Sequence, residues 1–199
     1  GNSSVGDGGG LFNLGTTPLI VRNSTFTDNE SQGFGGGIRN ASSAEISNST
    51  FTGNTATDDG GGIYNDSTLT VTNSLFSDNS SSSSNGGAFG NAGELTIVNS
   101  TLSGNSASGG GGISNLLNLT LNNSIVWGNS PDQIDNSNTV NISNSIVQGG
   151  GFTGAINADP LFIDAANDDY RLHPDSPAIN VGDNALEIGR ASCRERVFP

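Results

Sequence analysis

NSTFTGNTATDDGGGIYN, residues 48–65, decides the fold, because each of its parts recurs along the chain. NSTF begins at Asn23 and Asn48, NSLF at Asn73, NSTL at Asn99, and NSIV at Asn123 and Asn144, at spacings of 25, 25, 26, 24 and 21 residues. A second Asn follows six residues later at Asn29, Asn54, Asn79, Asn105 and Asn129. A third element, GGGI or a variant, ends at Ile38, Ile63, Phe89 and Ile113, with Asn40, Asn65, Asn91 and Asn115 two residues beyond.

Within each repeat the apolar residues alternate. In LTVTN, residues 69–73, Leu69 and Val71 point one way and Thr70 and Thr72 the other, which is the period of a strand and not of a helix. Three ladders result: Leu19, Ala44, Leu69, Leu95, Leu119, Val140; then Val21, Ile46, Val71, Ile97, Leu121, Ile142; then Phe26, Phe51, Phe76, Leu102, Val126, Val147. No single repeat can bury its strands, but stacking like on like at about 4.8 Å builds continuous apolar columns and a parallel hydrogen-bond ladder. The expected fold is all-β: a right-handed parallel β-helix of about six coils, each with three short strands. Leucine-rich repeats would need an LxxLxLxxN pattern that is absent.

The Asn columns at 23, 48, 73, 99, 123 and 144, and at 29, 54, 79, 105 and 129, are expected to be structural. Asn tolerates left-handed backbone at a bend, and its amide can bond the Asn of the next coil. Gly in the GGG runs permits close approach of neighbouring coils. The Gly run is defective at GGAF, residues 86–89, after a Ser run at 80–84, and a bulging loop is expected there.

Composition limits the function classes. The 199 residues are 32% hydrophobic, low for a packed globule, and carry a formal charge of −13 with six Arg and no Lys. Nucleic-acid binding needs a basic face to displace phosphate counterions, and none is available. An acidic surface is also ill suited to polyuronates unless Ca²⁺ bridges the two sets of carboxylates. No stretch of 18 apolar residues or signal peptide is visible. There is no Met, and GNSSVGDGGGL at the start aligns with GNTATDDGGGI at 53–63, so the chain is read as an interior piece beginning mid-coil.

The expected division is coils over residues 1–156, a C-terminal capping segment over 157–186, and an artefactual tail over 187–199. In the cap, Leu161, Phe162, Tyr170, Leu172, Ile179 and Val181 are expected to fold over the last coil. The tail begins EIGRASCRERV, which resembles a translated sequencing adapter. Without it the chain has three Arg against seventeen acidic residues, a charge of −14, and no cysteine, Cys193 being the only one.

The pattern NSTFxxNxAxxxGGGIYN resembles the repeats of bacterial polymorphic outer-membrane proteins and related right-handed β-helix proteins, over about residues 1–150. NSIVWGN followed by DPLF, DYRL and DSPAINVGDN is similar to the end of the β-helix in bacterial surface proteins with a variable C-terminal anchor. The resemblance implies a pectate-lyase-like superfold and an extracellular or cell-surface location. That superfold hosts lyases, glycosidases, adhesins and inert spacers alike.

The leading expectation is a non-catalytic, adhesin-like stalk or display scaffold contacting carbohydrate or cell-surface ligands, with no cofactor. The alternative is a polysaccharide lyase or glycoside hydrolase whose active site lies in missing coils or on the face carrying Asp28 and Asp78. A lyase would want Ca²⁺-holding carboxylates with a nearby Arg or Lys. The coil arginines Arg22 and Arg39 neighbour Ser47 and Tyr64 in their ladders and are read as exposed, solubilising residues. Asp28 and Asp78 share a column two coils apart, so their backbones should lie about 9.6 Å apart across Gly53. An inverting glycosidase needs carboxyls roughly 6.5–9.5 Å apart, but no third carboxylate and no aromatic sugar platform is evident beside this pair.

Asp58, Asp59 and Asp66 around one Gly run, and Asp164, Asp168 and Asp169 in the cap, are the candidate Ca²⁺ ligands, although neither set follows a calcium-loop signature. Trp127 falls in the outward column of Thr27, Thr52, Ser77 and Ser103. It is read as packing under the cap, with stacking on a sugar ring as the alternative. His173, the only His, has no triad around it.

Overall fold

The computed structural model describes residues 1–182. The chain winds into a parallel β-solenoid of about six coils, because strands one repeat apart pair in register. Three sheets run its length. The glycine-run sheet stacks Leu11–Asn13, Ile38–Asn40, Ile63–Asn65, Phe89–Asn91, Ile113–Asn115 and Ile134–Asn136. The alternating sheet stacks Leu19–Arg22, Ala44–Ser47, Thr68–Thr72, Glu94–Val98, Asn118–Asn122 and Thr139–Ser143. The phenylalanine sheet stacks Thr25–Thr27, Thr50–Thr52, Leu75–Ser77, Thr101–Ser103, Ile125–Trp127, Ser145–Val147 and Ala155–Ile156.

The predicted ladders are the observed register: Leu69 pairs with Ala44 and Leu95, and Phe76 with Phe51 and Leu102. A fourth, narrower sheet was not expected. It joins two-residue strands Ser3–Ser4, Glu30–Ser31, Thr55–Ala56 and Ser80–Ser81, then fades to isolated bridges at Ser106 and Ser130.

Inward-facing residues of the three long sheets form one continuous core, from Val21 and Ile38 to Ile142 and Val147. Phe26, Phe51 and Phe76 stack nearly parallel, at centroid separations of 4.7 and 4.6 Å, so the ring spacing copies the strand spacing. The coils approach closely at the Gly runs: a Cβ on Gly36 would lie 2.4 Å from the Gly61 carbonyl oxygen. Any larger residue there would push two coils apart.

The Asn columns divide their labour. Asn23, Asn48, Asn73, Asn99, Asn123 and Asn144 all sit at φ between 48° and 51°, making the left-handed bend into the phenylalanine sheet. Asn29, Asn54, Asn79, Asn105 and Asn129 are buried and joined amide to amide, each Nδ2 donating to the next Oδ1 at 2.8 to 2.9 Å, as Asn54 does to Asn79. A second amide ladder runs through Asn13, Asn40, Asn65, Asn91, Asn115 and Asn136. A serine ladder accompanies the bend column, with Ser24, Ser49, Ser74 and Ser100 each donating a backbone N–H to the hydroxyl one coil on.

The Ser run does not bulge. Ser80 and Ser81 pair with Thr55 and Ala56, and the N–H groups of Ser82 and Ser83 donate to Ala56 and Thr57. Asp59 then accepts from the Ser84 hydroxyl and, at 2.7 Å, from the Asn85 N–H. The extra residue is absorbed without loss of pairing, and Ala88 of GGAF is fully buried in the core.

Beyond the coils, Phe162–Asp164 and Asp169–Leu172 form an antiparallel hairpin across a 3₁₀ turn, Ala165–Asn167. This segment lies along the flank of the solenoid and not over its last coil. Phe162, Leu172 and Ala178 pack with Trp127 and Ile156 onto Ile125 and Ile146, on the outer face of the phenylalanine sheet. Those two Ile stand in the outward column that carries Thr25, Thr50, Leu75 and Thr101 in earlier coils, and the hairpin docks where two apolar residues of this column follow one another. Phe152 and Ala155 instead pack against the end of the main core. Of the expected cap residues, Leu161 is 38% exposed. The cap residues 183–186 and the tail 187–199, including Cys193, lie outside the described residues.

Candidate binding groove between solenoid and cap

The hairpin leaves an open cavity of about 430 Å³ between itself and the phenylalanine sheet. Asp78, Ser103 and Trp127 line it from the solenoid, and Asp159, Phe162 and Tyr170 from the cap. The solenoid side follows from the repeat. Asp78 and Gly104 occupy the same left-handed turn in successive coils, with φ of 55° and 71°. The Asp78 carboxylate leans over Gly104, where a Cβ would lie 2.6 Å from its Oδ1. Asp28 likewise leans over Gly53, at 2.4 Å. The space that Gly53 was expected to leave between Asp28 and Asp78 is therefore filled by Asp28 itself.

The partner of Asp78 comes from the cap. Its side chain lies near that of Asp168, which sits in a left-handed conformation at the end of the 3₁₀ turn. Burial, followed by interaction with the Asp168 carboxyl, raises the Asp78 pKa. Tyr170 reaches across to the hydroxyls of Ser77 and Ser103, which are buried under it. Burial, with Asp78 and Asp168 nearby, pushes its phenol up to about 12. Phe162 meets the Tyr170 ring edge-on at 5.3 Å. Trp127 is half-buried, packed against the cap cluster with part of its surface on the groove.

These contacts add what the repeat pattern alone did not supply: a third carboxylate and an aromatic wall beside Asp78.

The candidate Ca²⁺ ligands are drawn to separate partners. Asp66 accepts from Arg39 Nη2 at 2.8 Å, and Asp59 caps the loop at Ser84 and Asn85. In the cap, Asp164 accepts from Asn167 at 2.8 Å, Asp169 pairs with Arg171, and Asp168 faces Asp78. Among the described residues, no three His, Cys, Asp or Glu side chains converge as a metal site would require. His173 lies 3.5 Å from Asp175 on the surface.

Arg39 is not an exposed solubilising residue. Its side chain is 21% exposed, ion-paired to Asp7 from one coil and Asp66 from another. Its guanidinium stands 5.0 to 5.6 Å from the rings of Phe12, Phe34 and Tyr64. Asp7 also accepts the Phe34 N–H at 2.9 Å, so one carboxylate ties the loop and the cation together. Arg22 is exposed, as expected.

Two consecutive segments, residues 23–41 and 48–66, match the Chlamydia polymorphic membrane protein repeat. Each begins at a bend Asn and ends just past an Asn of the second amide ladder, so one match covers most of one coil. Neither a curated protein nor a solved structure matches the chain. A repeat of this kind on a parallel β-solenoid points to a bacterial outer-membrane or surface protein. Among the described residues, no helix is long and apolar enough to cross a membrane.

Proposed function

We propose that this chain is a non-catalytic, adhesin-like solenoid of a bacterial surface that contacts neutral glycans through the groove between its flank and its cap. The observation that carries this reading is the groove itself. Trp127, Tyr170 and Phe162 line it together with Ser103, Asp78 and Asp159. Sugars are bound by that combination, ring faces for C–H surfaces and polar groups for hydroxyls. With carboxylates and no basic side chain on the lining, polyuronates are repelled.

The non-catalytic part of the reading is supported by how the carboxylates are committed. Asp66 and Asp7 hold Arg39, and Asp59 holds a loop. The uninterrupted coils suit a stiff spacer or display scaffold.

A glycan array probed with the full chain, run beside a lyase and hydrolase screen, tests both parts. Binding of neutral oligosaccharides that falls at least tenfold in Trp127→Ala, with no turnover, is expected. Turnover of any polysaccharide sinks the non-catalytic reading in favour of a carbohydrate-active enzyme. Binding to no glycan, or binding indifferent to Trp127→Ala, sinks the groove.

A further inference from the structure

We propose that the groove binds amino sugars carrying a free, cationic amine more tightly than their neutral N-acetylated counterparts. This inference rests on the glycan-binding reading of the groove and names the class of sugar within it. Each wall carries a carboxylate, Asp78 from the solenoid and Asp159 from the cap. Trp127, Phe162 and Tyr170 supply the rings, and no basic side chain belongs to the lining. The nearest arginine in sequence, Arg171, follows Tyr170 in the strand Asp169–Leu172 and so points to the opposite face of the hairpin. There Asp169 holds its Nε at 2.7 Å. The cavity, about 430 Å³, falls within the range of ligand pockets, roughly 300–1,000 Å³.

An ammonium group on a bound ring brings a positive charge and three N–H donors to a lining whose only formal charges are carboxylates. A cation is also attracted to the face of an aromatic ring, which a neutral amide is not. Acetylation removes the charge and leaves one donor of the three. The ligand then displaces water from the Asp78 and Asp159 carboxylates without replacing its stabilisation of their charge. Asp159 accepts the Leu161 N–H through Oδ1 at 2.8 Å, which uses one of the roughly four lone-pair sites of a carboxylate. The chain as a whole, at a formal charge of −13, attracts any cation from a distance, so a preference built into the groove has to be separated from that field.

Isothermal titration calorimetry of the full chain compares the disaccharide of glucosamine with its di-N-acetylated form at about pH 6, where amines are protonated and ordinary carboxylates ionised. The free amine should bind about tenfold tighter at low salt, and the difference should shrink in about 1 M salt. Asp159→Asn keeps the Oδ1 acceptor for Leu161, and Asp78→Asn suits a left-handed backbone. Each should cut the preference about threefold or more, with little change for the acetylated sugar. Glu45→Gln removes the same charge from an exposed position on the alternating sheet and should leave the preference intact. Equal affinity for the two disaccharides overturns the amine preference while the glycan groove stands. A preference weakened as much by Glu45→Gln as by Asp159→Asn belongs to the overall charge and overturns it too. Binding of neither disaccharide also overturns it, and the neutral glycans of the array then decide the groove separately.

Discussion

Asn54 donates twice to a single oxygen of Asn79, through its backbone N–H at 3.1 Å and its side-chain Nδ2 at 2.8 Å. Asn79 in turn donates its own amide to Asn105 Oδ1 and to the Phe51 carbonyl, both at 2.9 Å. Every atom in this set is buried, so the ladder satisfies backbone groups that the turn would otherwise strand. Asn79→Leu removes the acceptor of two donors and a donor to two oxygens, of which Asn105 Oδ1 keeps the Asn79 backbone N–H. At about 1–3 kcal/mol for each buried group left unpaired, the loss should reach several kcal/mol. Urea unfolding measures it, and a loss under about 1 kcal/mol would show that the ladder is not structural.

Asn48 should behave differently. It is exposed, and its φ of 50° is the relevant constraint. Asn48→Ala must hold a Cβ in the left-handed region and should cost about 1–2 kcal/mol, whereas Asn48→Gly should change little. Equal losses in the two variants would mean that the side chain, not the backbone, matters at this column.

The phenylalanine stack yields a positional prediction. Phe51 is fully buried between the rings of Phe26 and Phe76. Phe51→Ala should cost about 3–5 kcal/mol, the usual range for emptying a buried aromatic site. Phe26 lies in the first strand of its sheet and is half-buried, so Phe26→Ala should cost about half as much. Denaturant midpoints of the two variants give the comparison directly.

What could be read from the sequence was whatever repeats. Leu69, Phe76 and Asn79 each have a counterpart one repeat away on either side, so their columns and register followed from spacing alone. Contacts that occur once carry no such signal. Arg39 is held by Asp7 and Asp66, 32 and 27 residues away in opposite directions along the chain, and by Phe34 from a loop. The meeting of Asp168 with Asp78 depends on where an unrepeated hairpin lands on the flank. One clue was present: the outward column, with Thr25, Thr50, Leu75 and Thr101 in earlier coils, runs on into Ile125 and Ile146, consecutive apolar residues that need a cover.

Arg39→Lys should be destabilising despite keeping the charge. Lys cannot reach Asp7 and Asp66 with separate nitrogens of one planar group, nor stack that plane among Phe12, Phe34 and Tyr64. A loss of about 1–2 kcal/mol is expected, and added salt should reduce only part of the wild-type advantage because the pairs are mostly shielded from solvent. Unfolding at low and high ionic strength separates the two contributions. An Arg39→Lys variant as stable as the wild type would make the ring cage incidental.

The chain's two tyrosines should both titrate late. Burial, with Asp66 and Asp59 nearby, pushes Tyr64 up to about 12, and burial with Asp78 and Asp168 does the same for Tyr170. A free phenol ionises near pH 10, so each folded-state pKa is raised. A raised pKa means the folded state keeps its proton longer than the unfolded chain. The stability contributed is therefore complete below about pH 10 and drains away as pH climbs towards about 12. Spectrophotometric titration of the folded chain should show almost no phenolate at about pH 10, where a urea-unfolded sample is half ionised. Tyr64→Phe should leave one late phenol, that of Tyr170, and Tyr170→Phe the other. A folded chain in which one tyrosine ionises near pH 10 would place that ring in water, and the variant in which the early step vanishes would identify it.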